Sequence, residues 1–230
     1  MLDGWRVEEV GRSRDGLPLR AFLPEREPPL AGLLIAALHG EEPETLLMAR
    51  RLLERVSAAE SGWAIVPCAN PDGIVAGTRQ NAAGVDVNRN FPAANWSDAP
   101  SFTYPPGCLD RRSPNRINRS SPGEHPGSEP ETRAVVALVE RLRPALLLDL
   151  HSPLACVVTT PTVPPEVVEA HAASAELPVV PSTGSATPGA LRDWCADQGH
   201  AAITYEVEHA PLPALCARHR PGLEALLREG

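Results

Sequence analysis

The chain has 230 residues, with 21 basic and 29 acidic side chains and a formal net charge of −8. That length suits one domain with a single sizeable core. The acidic balance excludes a chain-wide basic face for nucleic acid or an anionic membrane, and no apolar run approaches the ~20 residues that span a bilayer.

The apolar pattern alternates strands and helices. Residues 17–24 alternate as a strand does, and 32–38 (GLLIAAL) form a continuous apolar run suited to a strand buried on both faces, stopping at His39-Gly40. Residues 43–59 carry helical spacing through Leu46, Leu47, Arg50, Leu53 and Val56. A short buried strand follows at 63–68. Residues 69–128 are rich in Asn, Pro, Gly, Ser and Arg, and a long irregular loop region is expected at about 93–128. A helix over 129–142 is predicted, with Ser128 as cap, Pro130 in the first turn and Glu131 completing a capping box. Strands at 145–150, 155–160 and 201–207 and helices near 165–176, 189–198 and 213–228 complete the pattern. The expected fold class is α/β, one domain over 1–230 around a mixed or mostly parallel sheet.

All 21 basic residues are arginine. Schiff-base, Walker-type and Ser-Lys chemistry are thereby excluded. The five cysteines are scattered, with no CxxC pair, and read as thiols in a reducing compartment. The first residues show no basic segment followed by an apolar one, so a cytoplasmic location is expected.

Ligand-capable residues close three separate apolar runs: His39, His151 and Glu206. Ligands in open α/β sheets gather outside the carboxyl ends of strands. In His39-Gly40-Glu41-Glu42, a His and a Glu two residues apart can reach one ion where a strand turns into a helix. A His2Glu set with one open position is a common catalytic zinc arrangement. Asp149 shares a strand face with His151; it either orients the site or caps a loop. Arg79, Asn88 and Arg89 lie in the irregular stretch. They either clamp a carboxylate and stabilise an oxyanion or form a solvated loop. His125, His171, His200, His209 and His219 show no ligand spacing and are expected to be surface or structural.

These residues, in this order, resemble the zinc carboxypeptidases of the M14 type. The carrying motifs are His39-x-x-Glu42, Arg79, Asn88-Arg89, His151 and Ile203-Thr204-Tyr205-Glu206. HGEEP at 39–43, GVDVNRNFP at 84–92, SEPET at 128–132 and TPG at 187–189 are most similar to the small bacterial branch of murein tripeptide amidases. The resemblance implies a sheet of about eight strands flanked by helices, with one Zn²⁺ held by His39, Glu42 and His151. Glu206 would be general base and Arg79 the oxyanion partner, with Asn88 and Arg89 binding the free carboxylate of a small peptide. The implied substrate is murein tripeptide, cleaved at the γ-D-Glu–diaminopimelate bond in peptidoglycan recycling. No nucleic-acid or membrane partner is expected.

Spacing favours Glu42 over Glu41 as ligand, and sequence context favours Glu206 over Glu208 as base. The loop 181–189 lacks the substrate-facing tyrosine usual in the family; Tyr104 is a candidate replacement. Two other functions remain open at this level. One is an N-acyl amino acid deacylase of the aspartoacylase or succinylglutamate desuccinylase kind. The other is a non-catalytic muropeptide-binding protein.

Overall fold

The structure, a computed structural model, describes residues 4–103, 118–184 and 186–228. The chain opens with β1 (Arg6–Arg12), β2 (Pro18–Leu23) and β3 (Gly32–Ala36), then α1 (Pro43–Leu53), β4 (Trp63–Val66) and α2 (Pro71–Ala76). After a 3-10 turn at Val87–Arg89 come β5 (Ser101–Thr103), β6 (Asn118–Ser120), α3 (Pro130–Leu142) and β7 (Leu146–His151). The remainder is β8 (Leu154–Thr159), α4 (Pro165–Ser174), α5 (Leu191–Asp197), β9 (Ala202–Glu208) and α6 (Leu212–Arg228).

Seven strands among the described residues form one mixed sheet in the order β1-β2-β4-β3-β7-β9-β8. The family resemblance implies about eight; β5 and β6 pair only with each other, as a separate antiparallel ribbon. At the centre, β3 is parallel to both β4 and β7, and β7 is parallel to β9. All five residues of β3 and all six of β7 are buried, which is why β3 reads as an unbroken apolar run and β7 as one up to Asp149 and His151. Alternation along β3 sends Leu34 and Ala36 to one face and Leu33 and Ile35 to the other. The first face packs under α1, α4 and α6 through residues such as Met48, Val168 and Leu223. The second packs under α3 and α5 through Val135, Leu138 and Trp194.

Three expectations need correction. Residues 6–12 form an edge strand that the pattern did not announce, because its burial follows no clean alternation. The helix expected over 43–59 ends at Leu53. The capping box at 128–131 does not form: α3 begins after Glu129 with no side-chain cap, although Pro130 does occupy the first turn. Ser128 Oγ instead donates to Glu129 Oε1 (2.8 Å), and Glu131 accepts from the Arg14 backbone N–H (2.8 Å) and from Asn81 Nδ2 (3.1 Å). Within the stretch expected to be irregular, α2 and the β5–β6 ribbon are ordered elements. Residues 104–117, including Tyr104, lie outside the described residues.

Candidate metal centre and active site

β3, β7 and β9 run parallel, so their C-terminal ends share one edge of the sheet. His39 stands three residues beyond β3, His151 ends β7, and Glu206 is the register partner of His151 on β9. Glu42 is the N-terminal cap residue of α1. Its backbone carbonyl accepts from Thr45 Oγ1 (2.8 Å), and the same hydroxyl accepts from the Ala37 N–H (3.1 Å). That hydroxyl fastens the first turn of the helix to the end of the strand. Ala37 adopts φ 53°, a left-handed conformation costly for a residue with a Cβ, immediately before the site. Gly40 is required for space: a Cβ there would overlap the Gly73 backbone of α2.

His39, Glu42 and His151 form the one group of possible metal ligands found among the described residues, their donor atoms all within 4.8 Å of one another. Glu42 sits between the imidazoles. Its Oε1 lies 2.7 Å from His39 Nδ1 and its Oε2 lies 3.0 Å from His151 Nδ1. Each ring turns its other nitrogen toward a second carboxylate. His151 Nε2 is 2.9 Å from Asp149 Oδ2, and His39 Nε2 is 3.3 Å from Asp86 Oδ1. Both contacts are at ion-pair distance without hydrogen-bond alignment, since His39 Nε2 and both Asp149 oxygens have no aligned partner among the described residues. Two Nδ1 atoms converging on one carboxylate, with carboxylates behind both Nε2 atoms, is a donor set suited to a divalent cation. The rear carboxylates lie at ion-pair distance behind the rings, the position from which such groups orient ligating histidines. Of the two alternatives for Asp149, this placement beside His151 favours a part in orienting the site.

The electrostatics agree with this arrangement. Burial alone would raise the Glu42 pKa, but the flanking imidazoles overcome it and hold the carboxyl well below its usual range. Burial would likewise lower His151, yet Asp149 and Glu42 push it well above the ordinary imidazole value. Glu206 is pushed up by burial, which His151 offsets only in part. Its Oε2 lies 3.4 Å from the Leu154 N–H.

Arg79 is buried and donates through Nε to Asp86 Oδ2 (2.7 Å). Its Nη1 lies 3.5 Å from Glu41 and 3.9 Å from Glu42, so the guanidinium reaches the metal-ligand group. Asp86 thus joins two candidate groups, one oxygen on Arg79 and the other toward His39. Despite its burial, Arg79 and Arg89 hold Asp86 well below the usual carboxylate range. Asn88 and Arg89 follow in the 3-10 turn that Asp86 caps by accepting from the Asn88 N–H (2.9 Å). The Asn88 side chain touches His151 Nε2 (3.2 Å) and accepts from the Leu191 N–H (2.8 Å). Arg89 donates through Nη1 to the Asn88 carbonyl (2.7 Å), while its buried Nε has no hydrogen-bond partner among the described residues. An unpaired buried guanidinium nitrogen is a standing invitation to a carboxylate.

A cavity of about 340 Å³ collects these residues: Glu42, Arg79, Asn88, Arg89, His151 and Glu206 all line it. Glu208 does not. It binds His219 Nε2 (2.7 Å) and Arg218 Nη1 (3.3 Å) on α6. Phe102 and Arg192 also line the cavity and were not singled out from the sequence; Thr187 of the TPG motif lines it too. Phe102 is exposed and belongs to the β5–β6 ribbon. Tyr205 points away from the cavity, with its hydroxyl 3.0 Å from His219 Nδ1. The one missed residue with a sequence signal is Asp86, since an Asp two residues before Asn88 is placed to form an Asx turn.

Residues 6–205 match the peptidase M14 family, described as zinc carboxypeptidase. The chain belongs to that family and is a hydrolase of the metallocarboxypeptidase class. It is 38% identical over 200 residues to murein peptide amidase A of Escherichia coli K12, an alignment spanning 87% of this chain and 80% of the relative. The crystal structure of murein-tripeptide amidase MpaA from Escherichia coli O157 superposes with a TM-score of 0.88 and 35% identity, covering 97% of this chain and 92% of that one. Carboxypeptidase A from Helicoverpa armigera shares the fold at TM-score 0.71 and 22% identity, over 98% of this chain and 67% of that chain.

Proposed function

We propose that the protein is a zinc-dependent amidase that cleaves the γ-D-Glu–diaminopimelate bond of the murein tripeptide L-Ala-γ-D-Glu-meso-diaminopimelate. The observation that carries this is the convergence of His39, Glu42 and His151, with Glu206 beside them at one cavity. His39 Nδ1, the Glu42 carboxylate and His151 Nδ1 would hold Zn²⁺. When bound, the ion supplies a Lewis acid for the scissile carbonyl and lowers the pKa of water from 15.7 toward about 7.

The chain's own residues do the rest. The Glu206 carboxylate accepts a proton from the attacking water and returns it to the leaving nitrogen. Burial raises its proton affinity, which suits a general base working near neutral pH. Arg79 donates to the oxyanion as negative charge develops there, aimed in advance by Asp86. Arg89, with Asn88 bracing it, clamps the free carboxylate next to the scissile bond; its unpaired Nε supplies a donor. A recycled wall peptide met in the cytoplasm fits the free thiols of Cys68, Cys156, Cys195 and Cys216.

The test is incubation of the protein with the synthetic tripeptide. Release of diaminopimelate is expected, with loss of turnover on chelation and recovery with Zn²⁺. Intact tripeptide in the presence of metal-loaded protein would overturn the proposal.

A further inference from the structure

Along α1 lies a second cavity, of about 490 Å³, which shares no lining residue with the catalytic one. Its apolar lining comes from separate segments: Phe22 of β2, Leu46 and Leu47 of α1, Pro67 after β4 and Leu212 of α6. Leu47 is 44% exposed, so this surface is only partly covered by the protein itself. The charged groups around it are one-sided. Arg20 of β2 and Arg50 and Arg51 of α1 line the same cavity, against Glu54 as the one acidic residue. Arg51 is engaged with that Glu54 (2.8 Å). The Arg20 and Arg50 side chains have no ion pair among the described residues.

Two uncommitted guanidiniums on different elements, beside an apolar surface, on a chain with a net charge of −8, make a local inversion of charge. Exposed arginines alone would be an ordinary solvated face. Joined to a concave apolar surface, they match a ligand with an apolar body and an anionic head. Guanidinium planes favour carboxylates, which they can bind through paired N–H groups. We propose that this cavity is a binding site for a small free carboxylic acid with an aliphatic or aromatic body. Its head would lie between Arg20 and Arg50 and its chain against Leu46, Leu47 and Phe22. The site is separate from the peptide cleft.

Isothermal titration of the metal-loaded full chain with octanoate tests this, beside octanol and octylamine as neutral and cationic counterparts. One saturable octanoate site per chain is expected. Losing charge-assisted hydrogen bonds should weaken octanoate by about tenfold or more in the R20Q/R50Q variant. Both side chains are exposed, so that variant should keep the parent melting temperature. L47D should also weaken binding, whereas R89Q, altered only in the catalytic cavity, should bind as the parent does. The proposal is overturned if no saturable binding occurs, if octanol or octylamine binds as well as octanoate, or if R20Q/R50Q binds unchanged. It is equally overturned if R89Q abolishes binding, which would place the ligand in the peptide cleft.

Discussion

His151 and Glu206 are register partners on the parallel strands β7 and β9. One candidate metal ligand and the candidate base are therefore held side by side by sheet pairing rather than by loops. Rigid placement of this kind suits a base that must meet a proton at a fixed distance. Glu208 lies two residues farther along the same strand, but α6 draws it away to His219 and Arg218. E206Q should lower kcat by about 10²–10⁴-fold, while E208Q should keep most of the activity. Because burial raises the Glu206 pKa, parent kcat/KM should fall as pH drops through a value above the ordinary carboxylate one. Steady-state rates on the tripeptide decide this, and a dead E208Q beside an active E206Q would reverse the assignment.

Asp86 and Asp149 support the two imidazoles from behind, and neither acts alone. Asp86 also holds Arg79, whereas the one ion pair of Asp149 among the described residues is with His151. D149N should weaken zinc binding by about 10–100-fold, as is usual when a carboxylate behind a ligating histidine is lost. D86N should do the same and lower kcat further even at saturating zinc. Competition with a chromogenic chelator gives the affinities; parent-like zinc affinity in D149N would remove Asp149 from this role.

The three strand endings were visible in the sequence because central parallel strands are buried on both faces: GLLIA is wholly apolar, and LLLDLH is apolar up to Asp149 and His151. A polar residue at the end of such a run stands out. The supporting residues were harder to see. Asp86 acts on His39 from 47 positions away, and the spacing holds no trace of that contact. The preference for Glu206 over Glu208 could not come from strand periodicity, since both have the same parity; it is supported by α6, which holds Glu208 while Glu206 lines the cavity. β1 was missed because an edge strand with one solvated face follows a weak pattern. The capping box failed for a tertiary reason. Its Glu131 is drawn away by Arg14 and Asn81, which a local motif cannot anticipate.

Arg79 and Arg89 line one cavity and should separate in kinetics. In the proposed mechanism Arg79 would meet charge that arises during reaction, so R79Q should lower kcat by about 10²–10³-fold with KM little changed. Arg89 would meet a carboxylate already present in the proposed substrate, so R89Q should chiefly raise KM. The contrast is read from full saturation curves. A KM effect from R79Q with kcat intact would exchange the two roles.

His219 links α6 to β9 and gives a stability prediction independent of catalysis. It is buried between the Tyr205 hydroxyl (3.0 Å) and Glu208 (2.7 Å), with Arg218 close by on the other side of Glu208. Burial holds its pKa below the ordinary imidazole value, although Glu208 opposes the shift. Burial also opposes the ionised form of Glu208, yet the hydrogen bonds to its backbone N–H and to His219 keep that carboxyl below its usual range. For both groups the folded chain binds fewer protons than the unfolded chain across its titration range, so stability rises with pH there. The His219 contribution is complete above its unfolded value of about 6.5 and is lost as pH falls toward and through the folded one. The melting temperature should therefore drop between pH 7 and pH 5. H219Q keeps a hydrogen-bonding side chain but no titrating group, and should flatten that part of the profile while lowering stability at pH 7 by about 1 kcal/mol. Thermal melts of both proteins across this range give the answer. If H219Q retains the full acid slope, the loss of stability originates elsewhere, and His219 is only a packing residue.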